Sequence, residues 1–371
     1  MSLNTKSLLV TGCAGFIGAK VCEFLLTRSE LIPSEINDNN EPSAINVIGI
    51  DNLNDYYDVR LKHWRLDQLK KFPNFEFHKL DIENYAILKK LFESYSQNSS
   101  ASALPSSSKN SLPSQRDTFQ HDSSPFSSVI NLAARAGVRY SMENPFVYYT
   151  TNVMGNLNLL ELCRQFGVKK FILASTSSLY AGQKMPFKES LPVNEPISPY
   201  AASKKGGEVT CYTYHRQFDI DVSIVRYFTV YGPAGRPDMS IFRFISWIDR
   251  GEPAVVYGDG SQSRDFTYVD DIARGTIAAI KPLGFEIINL GGDCPHKLMD
   301  VLRNIERQLD KKACITHEPF HSADMLATSA DITKAKHHLK WHPEISIEQG
   351  IDNTIKWYKD NHAFTSTIEL T

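Results

Sequence analysis

The chain has 371 residues, 42% of them hydrophobic and 22% charged, which fits a globular protein with room for one broad domain or two intimately joined ones. Its 40 Lys and Arg nearly balance 42 Asp and Glu, so the formal net charge of −2 supplies no attraction to nucleic acid or to an anionic membrane. No run approaches the roughly 18 apolar residues that a membrane span needs.

The first half alternates short apolar runs with longer helical segments, the pattern of a parallel sheet covered by helices. Residues 7–11 read as a strand, and a glycine-rich turn and a helix over 19–28 follow. Because this strand begins so early, no signal peptide or anchor is expected before it. Further strands are expected at 46–51, 75–81, 128–133, 170–175 and 222–227, with helices over 151–166 and 200–218. Two polar stretches, 29–45 and 97–128, interrupt the rhythm. The second is rich in Ser, Pro and Asn and has too little apolar surface to order itself, so a flexible surface insertion is expected there. Lys169 and Lys170 read as a solvated helix end. From Tyr231 onward, Pro and Gly punctuation at Gly232-Pro233, Gly235-Arg236-Pro237 and Gly258-Asp259-Gly260 predicts a smaller domain over the carboxyl ends of the strands. A ligand would sit in the crevice between the two.

The six cysteines (Cys13, Cys22, Cys163, Cys211, Cys294, Cys314) have no CxxC pairing, and the eleven histidines are scattered. Reduced thiols, a cytoplasmic location and no metal site are expected.

Two constellations carry chemistry. Thr11-Gly12-Cys13-Ala14-Gly15-Phe16-Ile17-Gly18 follows the first strand with G-x-x-G-x-x-G spacing. Such a turn lets backbone approach a pyrophosphate and lets helix pack on strand, while the helix N-terminus offers free N–H groups. Asp51 ends the second strand, where a carboxylate can bind the adenosine ribose and would repel a 2′-phosphate, favouring NAD over NADP. Asp81 closes the third strand and reads either as an adenine contact or as a structural cap. Further on, Tyr200 and Lys204 are four residues apart at a helix start and share one helical face. A free tyrosine titrates near 10; a neighbouring ammonium, helped by an oxidised nicotinamide ring, favours the phenolate and brings it into the range of a working base. Thr176, after the fifth strand, could bind the same substrate oxygen.

Together with Asn131-Leu132-Ala133-Ala134 and Ser175-Thr176-Ser177-Ser178-Leu179-Tyr180, these residues resemble the extended short-chain dehydrogenase/reductase family, in its NAD-dependent epimerase/dehydratase branch. The likeness is closest to UDP-glucuronate 4-epimerases, through Gly49-Ile50-Asp51-Asn52-Leu53-Asn54-Asp55-Tyr56-Tyr57-Asp58, Ala136-Gly137-Val138-Arg139-Tyr140-Ser141, and Arg226-Tyr227-Phe228-Thr229-Val230-Tyr231-Gly232-Pro233. The resemblance implies an α/β fold, a Rossmann-type doubly wound parallel sheet with a smaller mixed α/β substrate-binding domain. Residues 1–180, 197–230 and 266–292 would bind the dinucleotide, and 181–196, 231–265 and 293–371 the nucleotide sugar. It further implies Thr176, Tyr200 and Lys204 as the catalytic group. Gly12, Gly15, Phe16, Ile17, Gly18, Asp51, Asn52, Asp81, Ile82, Leu132, Ala133 and Ala134 would line the NAD site with Tyr200 and Lys204. Thr229, Arg236 and Arg264 would hold the UDP portion, and Arg139, Ser141, Ser177 and Ser178 lie near the sugar. Arg236 could instead be a surface-loop charge, and Arg264 a partner of Asp265.

The dehydratases of this family carry acids after the threonine, where this chain has Ser177 and Ser178; that favours epimerisation of a UDP-sugar, a uronate or else UDP-glucose or UDP-N-acetylglucosamine. Ala181 stands where the family has glycine, and Pro319-Phe320-His321-Ser322-Ala323-Asp324-Met325 departs from the family's loop, keeping Asp324. A non-catalytic dinucleotide-binding scaffold is the alternative of another class. The helices over 151–166 and 200–218 resemble those that pair in a family homodimer.

Overall fold

The computed structural model describes residues 6–34, 45–100, 124–321 and 323–370, the side chains of 97–100 excepted. Among them, β1 (Lys6–Thr11), β2 (Ile45–Asp51), β3 (Phe75–Lys79), β4 (Ser128–Asn131), β5 (Lys170–Thr176), β6 (Asp221–Tyr227) and β10 (Phe285–Leu290) form one seven-stranded sheet in the order β10-β6-β5-β4-β1-β2-β3. Every neighbouring pair in it is parallel. Alternate side chains of each strand feed two cores. Leu8 and Val10 of β1 pack on the face of α1 (Phe16–Thr27) and α9 (Val269–Ala278), while Leu9 packs on the opposite face with Phe92, Leu159 and Cys211. That face is covered by α3 (Tyr85–Ser100), α6 (Asn156–Gln165) and α7 (Pro199–Phe218). Burial on both sides is why β5 is buried along its whole length.

The chain leaves this sheet after β6. β7 (Thr229–Tyr231), β9 (Ser263–Tyr268) and β11 (Pro295–Lys297) make a three-stranded sheet, and β8 (Pro253–Tyr257) pairs with β12 (Cys314–Glu318). These strands share a separate core with α8 (Ser240–Arg250), α10 (Leu298–Leu309) and α12 (Ile347–Asp360). The sequence order reverses at β1 and β4, so a crevice opens outside their carboxyl ends.

Several expectations need correction. The first helix begins three residues early, at Phe16, because Gly18 belongs to its first turn. The third and fourth strands stop at Lys79 and Asn131. The expected helix over 151–166 opens with a π-helical stretch, Thr150–Gly155, in which Asn152 turns to bind the backbone of Arg135 and the Ser203 hydroxyl. Lys170 is not a solvated helix end. It starts β5, is buried, and binds Asp221 (2.5 Å) and the Ser223 hydroxyl (2.7 Å). Of the expected insertion at 97–128, residues 101–123 lie outside the described residues. Residues 97–100 continue α3, and Phe126 packs edge-on against Phe92 at 5.0 Å in the core. Of 29–45, residues 35–44 lie outside the described residues, and Ser29–Leu31 form a single 3-10 turn.

Asp265 on β9 is fully buried, and burial pushes its carboxyl up to about 6 against the lowering pull of the Gly292 and Ala330 backbone N–H groups that donate to it. A carboxyl whose folded pKa exceeds its unfolded value near 3.9 favours the fold most when protonated. Its contribution is full below about pH 4 and is lost as pH rises through about 6. Wild type should therefore lose on the order of 2–3 kcal/mol relative to Asp265→Asn across that window. Urea unfolding of both proteins from about pH 4 to about pH 7 checks this; a pH-independent difference contradicts it.

Candidate active site

The turn between β1 and α1 is built from close backbone contacts. Gly12 has φ +70°, and a Cβ there would lie 2.8 Å from Ala133 N; a Cβ on Gly18 would lie 2.0 Å from Gly12 O. Helix α1 thus presses directly on the end of β1. Its N-cap is Gly15, with no side-chain cap and no acid in the first turn, so the helix end is free to receive an anion. Gly12, Gly15, Phe16, Ile17, Gly18, Asp51, Asn52, Asp81, Ile82, Leu132, Ala133 and Ala134 all line one cleft of about 1000 Å³. These residues fit a dinucleotide on their geometry: an uncapped helix N-terminus, glycines that admit no side chain, and a carboxylate at the end of β2.

Asp51 accepts from Leu53 N (2.8 Å) and Ala14 N (3.2 Å). Asp81 accepts from the Asn52 amide (2.8 Å) and from Glu83 N (2.9 Å), so it caps the turn and lines the cleft at once. Lys62, which the sequence reading missed, sits 3.9 Å from Asp51 on the cleft wall. Burial lowers its pKa to about 8 against the opposing pull of Asp51. The signal was a lysine inside the buried stripe Leu61, Arg65, Leu66, Leu69 of α2 (Arg60–Leu69). Arg65 of the same helix ties Ala14 O to Ala234 O and Gly235 O, locking the glycine turn to the loop that carries Arg236.

On the other side of the cleft, Ser198 caps α7 by accepting from Ala201 N, Pro199 follows at the first helical position, and Tyr200 and Lys204 come next on one face. Tyr200 shares the cleft wall with Thr176 at the end of β5. Thr176 accepts from Ser178 N, which caps the 3-10 turn Ser177–Tyr180. The Lys204 ammonium donates to Ala174 O at 2.9 Å. Burial pushes the Tyr200 phenol up, and the neighbouring Thr176 hydroxyl and Arg236 charge only oppose this. Burial also brings Lys204 down to about 8. Burial therefore dominates at both groups, and the expected lowering of Tyr200 requires the ammonium and an oxidised nicotinamide ring together.

Ser177, Ser178, Thr229, Arg139, Arg236 and Arg264 line the same cleft. Arg139 stacks 3.6 Å over the Tyr257 ring and pairs with Asp324 at 2.6 Å. Arg236 is no free loop charge; it forks onto both carboxylate oxygens of Asp238. Arg264 does not pair with Asp265. Successive residues of a strand face opposite sides, so Arg264 faces the cleft and donates to Ser263 O and Leu326 O while Asp265 points away. Ser141 is the one expected site residue outside the cleft wall: it is fully buried and its hydroxyl donates to Val138 O at 2.5 Å.

A parallel α/β sheet with a glycine turn at its switch point, and a Tyr–Lys pair across the same cleft, defines a dinucleotide-dependent enzyme. The sequence pattern of the NAD dependent epimerase/dehydratase family matches residues 111–291. UDP-glucuronate 4-epimerase of Thermodesulfobacterium geofontis is 52% identical over 363 residues, 98% of this chain and 99% of that protein. The solved structure of UDP-glucuronic acid 4-epimerase from Bacillus cereus, in complex with UDP-glucuronic acid and NAD, matches with a TM-score of 0.79 at 33% identity, covering 95% of this chain and 99% of that one. UDP-glucose 4-epimerase of Thermotoga maritima with UDP-glucose matches with a TM-score of 0.77 at 27% identity, covering 96% and 99%. The chain belongs to the NAD dependent epimerase/dehydratase family.

Gly18→Ala should drive a methyl group into Gly12 O and weaken NAD binding at least about tenfold, equal to about 1.4 kcal/mol. Titration calorimetry with NAD reads this directly; unchanged affinity would mean the dinucleotide does not lie on this turn.

Proposed function

We propose that the chain is an NAD-dependent UDP-sugar 4-epimerase that interconverts UDP-glucuronate and UDP-galacturonate. One observation carries the reading: Thr176, Tyr200 and Lys204 line one cleft with the glycine turn, in a chain 52% identical to a UDP-glucuronate 4-epimerase along nearly its whole length. In this reading residues 1–180, 197–230 and 266–292 hold the dinucleotide, and 181–196, 231–265 and 293–371 hold the nucleotide sugar.

Tyr200 is the base. Its phenolate takes the proton of the C4 hydroxyl, and Thr176, on the same cleft wall, aligns that hydroxyl. When bound, NAD accepts the C4 hydride and returns it to the other face of the 4-keto sugar after the sugar has turned about its diphosphate. Tyr200 then gives the proton back to the C4 oxygen. Lys204, with a pKa of about 8, is cationic at neutral pH, and in this reading its charge acts with that of the oxidised nicotinamide to favour the phenolate. Ser177 and Ser178 offer hydroxyl donors to the C6 carboxylate and no acid to eliminate water. Arg236 and Arg264 grip the UDP portion.

The test is proton NMR of the purified protein with UDP-glucuronate, with and without added NAD. Appearance of UDP-galacturonate supports the reading, and Tyr200→Phe should slow it by about 10²- to 10⁴-fold. Conversion of UDP-glucose or UDP-N-acetylglucosamine in place of the uronate would move the substrate to a neutral hexose. No turnover on any of the three would leave a dinucleotide-binding scaffold.

We also propose a homodimer of a cytoplasmic protein. Phe146 is 79% exposed, and Tyr149, Met154, Val209 and Tyr212 are about half exposed, all on α5 (Phe146–Tyr149), the π-helical stretch and α7. A second copy covers such a surface through isologous helix packing. The six free cysteines suit a reducing compartment. Val209→Asp should halve the mass found by sedimentation equilibrium; an unchanged mass places the interface elsewhere.

A further inference from the structure

Glu208 lies one turn beyond Lys204 on the sheet-facing side of α7 and is 2% exposed. Its carboxylate accepts from the Ser175 hydroxyl (2.7 Å) and, in a bidentate grip, from Nε (2.8 Å) and Nη2 (2.7 Å) of Arg226, itself 1% exposed. The remaining Arg226 nitrogen, Nη1, donates to the Tyr180 hydroxyl at 2.8 Å, and Tyr180 donates to Asn289 at 2.8 Å. Ser175, Arg226 and Asn289 are register neighbours on β5, β6 and β10, so this chain of bonds crosses the sheet at its carboxyl edge.

The pattern along α7 is regular. Lys204 binds Ala174 O and Glu208 binds Ser175, so two side chains four residues apart hold the end of β5, while Tyr200, four residues earlier, shares the cleft wall with Thr176. Arg226 joins the two halves, with α7 on one side through Glu208 and the turn Ser177–Tyr180 on the other through Tyr180. A buried ion pair is seldom better for stability than apolar residues of the same volume, so stability alone does not account for one here.

We infer that the Glu208–Arg226 pair positions the Tyr200/Lys204 helix against the Thr176–Ser178 turn and so sets the rate of turnover without touching the sugar or the dinucleotide. Both are positioning residues. The inference rests on the epimerase reading above. Its effect falls on kcat, because a proton donor and acceptor displaced by a fraction of an ångström lose rate while the uridine and diphosphate contacts persist.

The experiment uses the NAD-loaded enzyme and UDP-glucuronate, with melting temperature followed alongside. Glu208→Gln should lower kcat about 10- to 100-fold and leave KM within about twofold. The paired change of Glu208→Leu with Arg226→Met removes both charges of the pair together. Lys204 and Lys205 keep their charges and lose only the Glu208 carboxylate that faces them, so the variant should hold its fold better than either single change and still have the low kcat. Ser175→Ala, which unpairs no charge, should lower kcat severalfold and serves as the deciding variant if the paired change does not fold. Recovery of wild-type kcat in the paired variant, a rise in KM in place of a fall in kcat, or an unaltered Ser175→Ala enzyme would each overturn the inference. A wild-type protein inactive on UDP-glucuronate would instead defeat the epimerase reading itself.

Discussion

Seven strands running in one direction bring seven carboxyl ends to one edge of the sheet, and everything else in the molecule is arranged around that edge. Parallel pairing forces each connection to cross a face of the sheet, so both faces are covered and the strands become continuous apolar runs. Only the two rims stay open to ligands. At one of them the strand order reverses, and the neighbouring connections from β1 and β4 leave in opposite directions. The glycine turn, Asp51, Thr176 and the start of α7 meet there because topology leaves them no other place.

At that rim the backbone takes over from the side chains. Gly12 and Gly18 bring helix to strand at distances that leave no room for a methyl group. The second layer of elements, from β7 onward, then supplies what a sheet edge lacks. Arg236 and Arg264 come from loops and short strands, each held by acceptors in its own neighbourhood. The site joins two kinds of construction, a rigid floor of paired strands and a wall of locally tethered charges.

Much of the floor was legible in the sequence, since short apolar runs followed by glycine and a helical pattern have few other readings. The first six sheet strands and the Tyr200/Lys204 face were found that way. What escaped depends on contacts between distant segments. β10 follows a long excursion through the second layer, and Phe285 to Leu290 has no punctuation that assigns it to the first sheet. Phe126 is a single aromatic in a polar stretch, yet it fills the space beside Phe92. Lys62, Glu208 and Arg226 are charged residues in buried places; only their partners, far away in the chain, explain them. The alternative reading that paired Arg264 with its sequence neighbour Asp265 is excluded because the strand sends them to opposite sides. Ser141 stands off the cleft wall, its hydroxyl spent on its own helix.

The Arg139–Asp324 pair, stacked on Tyr257, gives the cleft a further property. Arg264 faces the same carboxylate, so this wall sets two guanidiniums against one Asp324 and stays cationic toward an arriving anion. Taking the place of Asp324 swaps one counter-ion for another, and the arginine is never left bare. The carboxylate, released, is rehydrated. A ligand that takes the place of Asp324 has to return to Arg139 what that carboxylate gives it, which favours one that delivers two oxygens in one plane.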